Sequence, residues 1–393
     1  MGSPENILAM NENGNMIYFD YNAAAPVAPV CVDAALEYLD GGFGNPSSKH
    51  GAGERAKRAL DEARGQVAQL LNALPAEIVF TGGGTEGNHA AIMGALAAAP
   101  HKKHIVTSAV EHPSNLLLCR HLEAQGVRVT YLQVDADGRL DLQQLDDALD
   151  EDTALVSLMW ANNETGAVFP IDDIARIVKA RGVLFHSDAV QAAGKLSIDV
   201  KAIPADLLTL SGHKLHAPPG VGALYLRKGL KLPPLLFGHQ ERGRRGGTEN
   251  MPGIVALGIA SLLASDALKA DIPRVAALRD RLESGVLKRF PFATVNGAGA
   301  ERVANTANIR FGNLNAEAIV HKLDQAGVCV SQGAACSAGG TEPSHVLTAM
   351  GLAPREALAS IRFSLGRYNT AEEVERVLDL LTEIMASGVA DAA

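Results

Sequence analysis

An α/β fold, with a large and mostly parallel sheet followed by a smaller α+β unit, is what this 393-residue sequence predicts. From Glu77 onward, short β-branched runs alternate with helical patterns: IVFTGGGTE, HIVTSAVEH, VRVTYLQVD, ALVSLMWANNE and VLFHSDAVQ. That beat is the signature of βαβ units, because parallel strands need crossover helices between them. After about Met251 the pattern changes to long helices and then to strand-like pieces such as ANTANIRF and ALASIRFSL, which marks a second unit. The length is sufficient for two cores. The expected organisation is a flexible tail over residues 1–15, a large α/β domain over 16–260 and a small α+β domain over 261–393. The first residues of the large domain are free to pack on the small one.

Taken in order, Met16 to Asp20 reads as a short strand entering the small-residue turn NAAAP, and helices follow at about Val30 to Leu39 and Ala52 to Leu71. Gly41 to His50, GGFGNPSSKH, is too rich in Gly, Pro and Ser to be regular. Beyond the alternating region, helices are expected at Ile254 to Ala270, Pro273 to Lys288 and, closing the chain, Ala371 to Met385.

Composition narrows the function. Hydrophobic residues make up 47% and charged residues 20%, as in an ordinary soluble protein. A net charge of -9 argues against nucleic acid as a partner, since phosphate neutralisation needs clustered Lys and Arg, and the one basic cluster, Arg242 to Arg245, is short. No apolar run approaches the roughly 20 residues that span a bilayer, and the N-terminus lacks a signal core, so a cytoplasmic location without membrane association is expected. The four cysteines, Cys31, Cys119, Cys329 and Cys336, form no CxxC pair, which fits a reducing compartment. No metal site is assigned.

In mostly parallel sheets, ligands bind beyond the carboxyl ends of the strands. Polar groups follow the apolar runs at those ends: Thr81 to Glu86, Glu111 and His112, Asn162 to Glu164, Asp188 to Gln191, and Ser211 to Lys214. Lys214 lies in LSGHKLHAPPGVGALY, surroundings poor in solvating charge, where desolvation lowers an amine pKa and favours imine chemistry. Gly82-Gly83-Gly84-Thr85-Glu86, between a strand and a helix, reads either as a phosphate cradle or as a tight turn, and it matches neither GxGxxG nor GxxxxGK[ST]. Asp188 ends a strand where a protonated heterocyclic nitrogen would partner it, unless it only caps the next helix; Gln191 lies three residues on. His112 suits stacking on a planar ring or a structural hydrogen bond. Cys336, among glycines and small residues, has the setting of an accessible nucleophile, whereas Cys31, Cys119 and Cys329 read as packing residues. Arg362 in SIRFS suits bidentate capture of a carboxylate or an internal ion pair.

With these residues in place, the sequence resembles the NifS/IscS-type cysteine desulfurases of the class V aminotransferase group of pyridoxal phosphate enzymes. The resemblance runs from about Tyr18 to the last helix. It rests on FGNPSS, TGGGTEGN, VEHPS, WANNETG, HSDAVQ, SGHKLHAPPGVG, GRRGGTEN, NTANI, GAACSAGGTEPSHVL and IRFSLGRY. It implies the PLP-dependent transferase fold (fold type I), with Lys214 holding pyridoxal 5'-phosphate, Asp188 pairing with the ring nitrogen, His112 stacking and Gln191 bonding the ring hydroxyl. Gly84, Thr85, Ser211 and His213 would hold the phosphate, joined by Thr248 of a second subunit in a homodimer. Asn163 and Arg362 would bind the carboxylate of L-cysteine, and Cys336, on a long loop of the small domain, would take the sulfur as a persulfide. The sulfur would pass to an acceptor protein such as an iron-sulfur scaffold. Two departures from the commoner pattern lie near the site: Asp20-Tyr21-Asn22-Ala23-Ala24 in place of DNNAT, and GGGTEGN in place of SGATESN. The competing readings are a selenocysteine lyase or another class V aminotransferase, and an inactive scaffold.

Overall fold

The computed structural model describes residues 16–333 and 342–388. In chain order the elements are β1 (Ile17–Tyr18), α1 (Pro29–Asp40), α2 (Gly51–Leu70), β2 (Ile78–Thr81), α3 (Gly84–Ala98), β3 (His104–Ser108), α4 (Pro113–Glu123), β4 (Arg128–Leu132), α5 (Leu142–Ala148), β5 (Thr153–Met159), α6 (Ile171–Ala180), β6 (Leu184–Asp188), β7 (Leu207–Ser211) and β8 (Gly222–Leu226). They continue with α7 (Gln240–Gly243), α8 (Met251–Arg289), β9 (Ala293–Val295), β10 (Thr306–Phe311), α9 (Ala316–Gln325), β11 (Val328–Cys329), α10 (His345–Ala349), α11 (Pro354–Leu358), β12 (Ser360–Ser364) and α12 (Ala371–Ala386).

The large sheet has the order β2-β8-β7-β6-β5-β3-β4. Strand β8 is antiparallel to both of its neighbours, and the other adjacent pairs are parallel. The reason is local. Only the segment HKLHAPPGV and one glycine separate β7 from β8, too little chain for a crossover helix, so the strand turns back. Alternate residues of the central strands enter opposite cores. Val106, Val156, Phe185 and Leu208 pack on the face covered by α2, α6 and the start of α8, while Ile105, Leu155 and Leu207 pack on the face covered by α3 and α4.

A polar ladder crosses the middle of this sheet. His186 is fully buried, with Nδ1 2.8 Å from Ser157 Oγ on β5 and Nε2 2.9 Å from Thr209 Oγ1 on β7. Burial pushes its pKa down to about 3. The folded state therefore binds fewer protons than the unfolded state between about pH 6.5 and about pH 3, and stability is lost as pH falls through that window. Urea titrations at pH 7 and pH 5 are expected to show this loss, and His186→Gln should reduce it by about 1.4 kcal/mol per pH unit. An unchanged pH slope in the variant would show that the ring does not carry it.

A second core gathers Phe19, Leu282, Phe290, Ile309, Phe311, Leu323, Phe363 and Val377 around the antiparallel sheet β12-β10-β9 and helices α9 and α12. The N-terminal strand joins it: β1 pairs in parallel with β11, and Ser364 N donates to Phe19 O at 2.7 Å.

The two helices expected around Pro273 form one, α8, with Pro273 inside it. An internal proline costs about 3 kcal/mol. The helix tolerates it because its halves are anchored in different cores, Ile254, Leu257 and Ala260 in the first and Val275, Leu282 and Val286 in the second. Each buried Ile, Leu or Val among them stabilises by about 1.5–3 kcal/mol. Residue 260, the expected domain limit, thus lies within a continuous helix. By length and composition α8 is also apolar enough to cross a bilayer, contrary to the expectation of no such run; half of its most apolar window is buried inside the protein.

Candidate active site

The carboxyl ends of β3, β5, β6 and β7 open on a cavity of about 430 Å³ lined by side chains from each of the connecting loops. That volume lies in the range of small-molecule sites.

Lys214 reaches this cavity from a single 3-10 turn, Gly212–Lys214, that follows β7. The Pro-Gly segment behind it prevents the turn from growing into a helix. The Lys214 amine donates to Asn22 O at 2.6 Å and Ala23 O at 2.5 Å, so the NAAAP turn near the N-terminus supplies the floor on which it rests.

Asp188 ends β6 and is buried. Asn88 Nδ2 donates to its Oδ2 at 2.7 Å and Val190 N to its Oδ1 at 3.0 Å. Both donors are neutral, so the carboxylate is oriented without being neutralised by them. The residues 189–206 form turns rather than the helix that an N-cap role would require, and Gln191 still faces the same cavity.

His112 caps the N-terminus of α4, accepting from Ser114 N at Nδ1, 3.1 Å away. A ring nitrogen that accepts is unprotonated, so the neutral imidazole carries its hydrogen on Nε2. Burial pushes the His112 pKa down, Lys214 adds to this, and Asp188 opposes it. The preceding Glu111 is fully buried. It is held by Ser108 Oγ at 2.6 Å, Met159 N at 2.9 Å and Asn115 Nδ2 at 3.3 Å, and burial pushes its pKa up to about 8.

Gly84 and Thr85 start α3, whose N-terminus has no side-chain cap. A Cβ on Gly84 would meet Val190 Cγ2 at 3.1 Å and Ser211 Cβ at 3.4 Å, so glycine keeps the helix start open to the cavity. Ser211 Oγ lies 2.9 Å from His213 Nδ1 beside it. Burial pushes the His213 pKa down to about 4, with Lys214 and His112 adding to the effect. Unpaired N–H groups, a helix dipole and a hydroxyl together suit an anion.

Arg362, on β12, is fully buried and lines the cavity. It forms an ion pair with Asp20 at 2.7 Å and donates to Asn163 O at 3.2 Å, while its Nε has no partner. The internal ion pair is thus realised, and Arg362 faces the cavity as well. Burial pushes the Asp20 pKa up against the opposing pull of Arg362.

Of the expected site residues, Gly84, Thr85, His112, Asn163, Asp188, Gln191, Ser211, His213, Lys214 and Arg362 all border this one cavity. Thr248 does not; it lines a separate cleft of about 90 Å³ with Gly247, Glu249 and Asn250. Cys336 lies outside the described residues. Cys31 and Cys119 are buried, as expected of packing residues, whereas Cys329 is only half-buried on β11. The arginines of the basic cluster are spent on internal contacts: Arg242 on Ile78 O, Arg244 on Ala76 O and Arg245 on Glu86.

The Aminotransferase class-V family matches residues 17–377. Cysteine desulfurase 2 of Trichormus variabilis is 53% identical over 372 residues, covering 94% of this chain and 93% of its own. Cysteine desulfurase NifS of Azotobacter vinelandii is 47% identical over 94% of this chain and 92% of its own. The chain belongs to the NifS-type cysteine desulfurases. Among solved structures, this desulfurase is similar to a NifS-like protein with a TM-score of 0.89 at 35% identity, covering 95% of this chain and 100% of that one. It is also similar to a structure of SspA in complex with cysteine, with a TM-score of 0.80 at 37% identity over 90% of this chain and 100% of that one. Family, fold and desulfurase activity are therefore common ground with the sequence reading.

The sequence reading of the desulfurase missed several supporting residues. Asn88 orients Asp188, Asn22 receives Lys214, and Lys195 contacts Gln191. One of these left a signal: Asn88 follows Gly84 by four residues on one helix.

Proposed function

We propose that this desulfurase acts with pyridoxal phosphate bound in the cavity around Lys214, and that it releases alanine from L-cysteine while leaving the sulfur on Cys336. The observation that carries the reading is the convergence of Lys214, Asp188 and the open start of α3 on one cavity of suitable size. The residues fit the cofactor. The uncapped helix and the space kept by Gly84 suit its phosphate, and the neutral donors on Asp188 leave that carboxylate for a protonated ring nitrogen. When bound, pyridoxal phosphate supplies an electron sink for the pair left at the substrate Cα.

The chain supplies the rest. Lys214 would hold the cofactor covalently and, once displaced by substrate, its amine would take the Cα proton. His112 would lie against the ring as a neutral imidazole, and Gln191 would donate to the ring hydroxyl. Ser211 and His213 assist at the phosphate. Arg362 and Asn163, which both line the cavity, would hold the substrate carboxylate. The Cys336 thiolate attacks the substrate sulfur; an S–S bond forms, the Cβ–S bond breaks with its electron pair kept on carbon, and protonation there leads to alanine.

A homodimer is part of the reading. Val32, Leu36 and Leu39 form an exposed apolar stripe at helical spacing on α1, and Phe43 beyond it is 77% exposed. A partner covering that stripe would explain why Thr248 stands apart from the cavity of its own chain. The sulfur passes to an acceptor protein, such as one of iron-sulfur cluster assembly or of another sulfur-transfer pathway, and the free cysteines among the described residues fit a reducing cytoplasm.

The experiment is alanine release from L-cysteine under reductant by wild type and Cys336→Ser, with light scattering of the same preparations. Wild type is expected to release alanine and sulfide as a dimer, and Cys336→Ser to lose about 10²–10⁴-fold in rate, as for loss of a reacting group. Equal rates would remove the thiol from the reaction, and a mass of one chain would remove the dimer.

A further inference from the structure

A second lysine lies behind Lys214. The chain leaves Gln191 through a turn in which Gly194 has φ +72°, and a Cβ there would meet Leu215 Cδ2 at 2.9 Å and Ala264 Cβ at 3.0 Å. The backbone can reverse this tightly only with glycine, and the reversal returns Lys195 to Gln191. Lys195 Nζ donates to Gln191 Oε1, and to Asn22 Oδ1 at 3.1 Å. It borders a small cavity of about 70 Å³ beside the main one, with Lys214 on the shared wall.

Asn22 is the junction. Its backbone oxygen accepts from Lys214 at 2.6 Å and from Gln191 Nε2 at 3.1 Å, while its Nδ2 donates to Asn163 O at 3.0 Å and Thr306 Oγ1 at 2.8 Å. An amide side chain has nearly the same shape in its two flipped orientations, so something must choose between them. A donor on Oε1 makes the choice: Nε2 is left to serve Asn22 O with one N–H and to offer the other.

We infer that Lys195 is a positioning residue, which fixes the Gln191 amide as a donor toward the cavity and holds Asn22 where its carbonyl receives Lys214. This rests on the cofactor reading above, in which the ring hydroxyl takes that donor. Burial, then Lys214, then Arg362 push the Lys195 amine down to about 7. A lysine amine donates in either protonation state, so the pin persists through neutral pH.

The test compares wild type, Lys195→Met, Lys195→Arg, Gln191→Leu and the double variant, each loaded with pyridoxal phosphate. The readouts are the position of the visible absorption band, cofactor Kd, and kcat and KM for L-cysteine. Lys195→Met is expected to shift the band, weaken cofactor binding about tenfold, as for one lost hydrogen bond, and lower kcat with KM within about twofold. Lys195→Arg, which keeps a donor, should restore the band at least in part. In the Gln191→Leu background, Lys195→Met should shift the band by less than it does alone, the remainder coming through Asn22. A wild-type-like band and Kd in Lys195→Met, or independent shifts in the double variant, would overturn the inference while leaving the cofactor reading intact. Absence of a visible band in wild type would overturn both. If Lys195→Met fails to fold by circular dichroism, Lys195→Leu, which also lacks a donor, replaces it with the same expected outcomes.

Discussion

Lys214→Ala is expected to abolish turnover, lowering the rate of alanine formation by about 10⁴-fold or more, because in the proposed mechanism one truncation removes both the covalent anchor and the proton-transfer base. Around it the structure should change little. The amine rests on the carbonyls of Asn22 and Ala23, and both are next to a cavity that water can enter, so the truncation leaves acceptors that solvent can satisfy. Borohydride reduction separates this outcome from misfolding. It should fix the cofactor permanently to the peptide containing Lys214 in wild type and label nothing there in the variant. A variant retaining a tenth of the activity would place the chemistry on another amine, and Lys195 would be the first to examine.

Asp188→Asn should lower kcat by about a thousandfold while the cofactor still binds. The reasoning is electrostatic: replacing a buried carboxylate by a neutral amide would forfeit the proposed pairing with a protonated ring nitrogen, and one lost partner of a buried pair costs about 3–5 kcal/mol. At about 1.4 kcal/mol per tenfold, the middle of that range gives the factor. The fold should survive because the neighbour can adapt. Asn88 Oδ1 is buried without a hydrogen-bond partner, so a flip of the Asn88 amide would let it accept from the new side chain. Stopped-flow kinetics on the loaded variant would check the prediction, and a loss below tenfold would dissociate Asp188 from the ring.

What the sequence made legible was periodic or punctuated. The alternation of apolar runs with helices announced the large sheet, and each run delivered its polar residue to the same edge, which is why Asp188, His112 and Lys214 were readable before their positions were known. Pro273 misled for the opposite reason, since a local rule for ending helices was overridden by packing of α8 in two cores. The least legible contacts join distant stretches. Arg362 meets Asp20 across 342 residues and Lys195 meets Asn22 across 173, and nothing local in either stretch encodes its partner. Thr248 shows a related limit, because under the proposed dimer its site would belong to a second chain.

The pairing of β1 with β11 sets a schedule for making the protein. Ile17 lies opposite Val328, so the first strand waits for a partner synthesised about 310 residues later. At about 5–20 residues per second, translation leaves Phe19 uncovered for roughly 15–60 s. The same N-terminal stretch carries Asn22 and Ala23, which Lys214 needs, and Asp20, which Arg362 needs. The cavity is therefore closed by stretches that lie 342 residues apart, at Asp20 and Arg362, and it cannot take shape before both have left the ribosome.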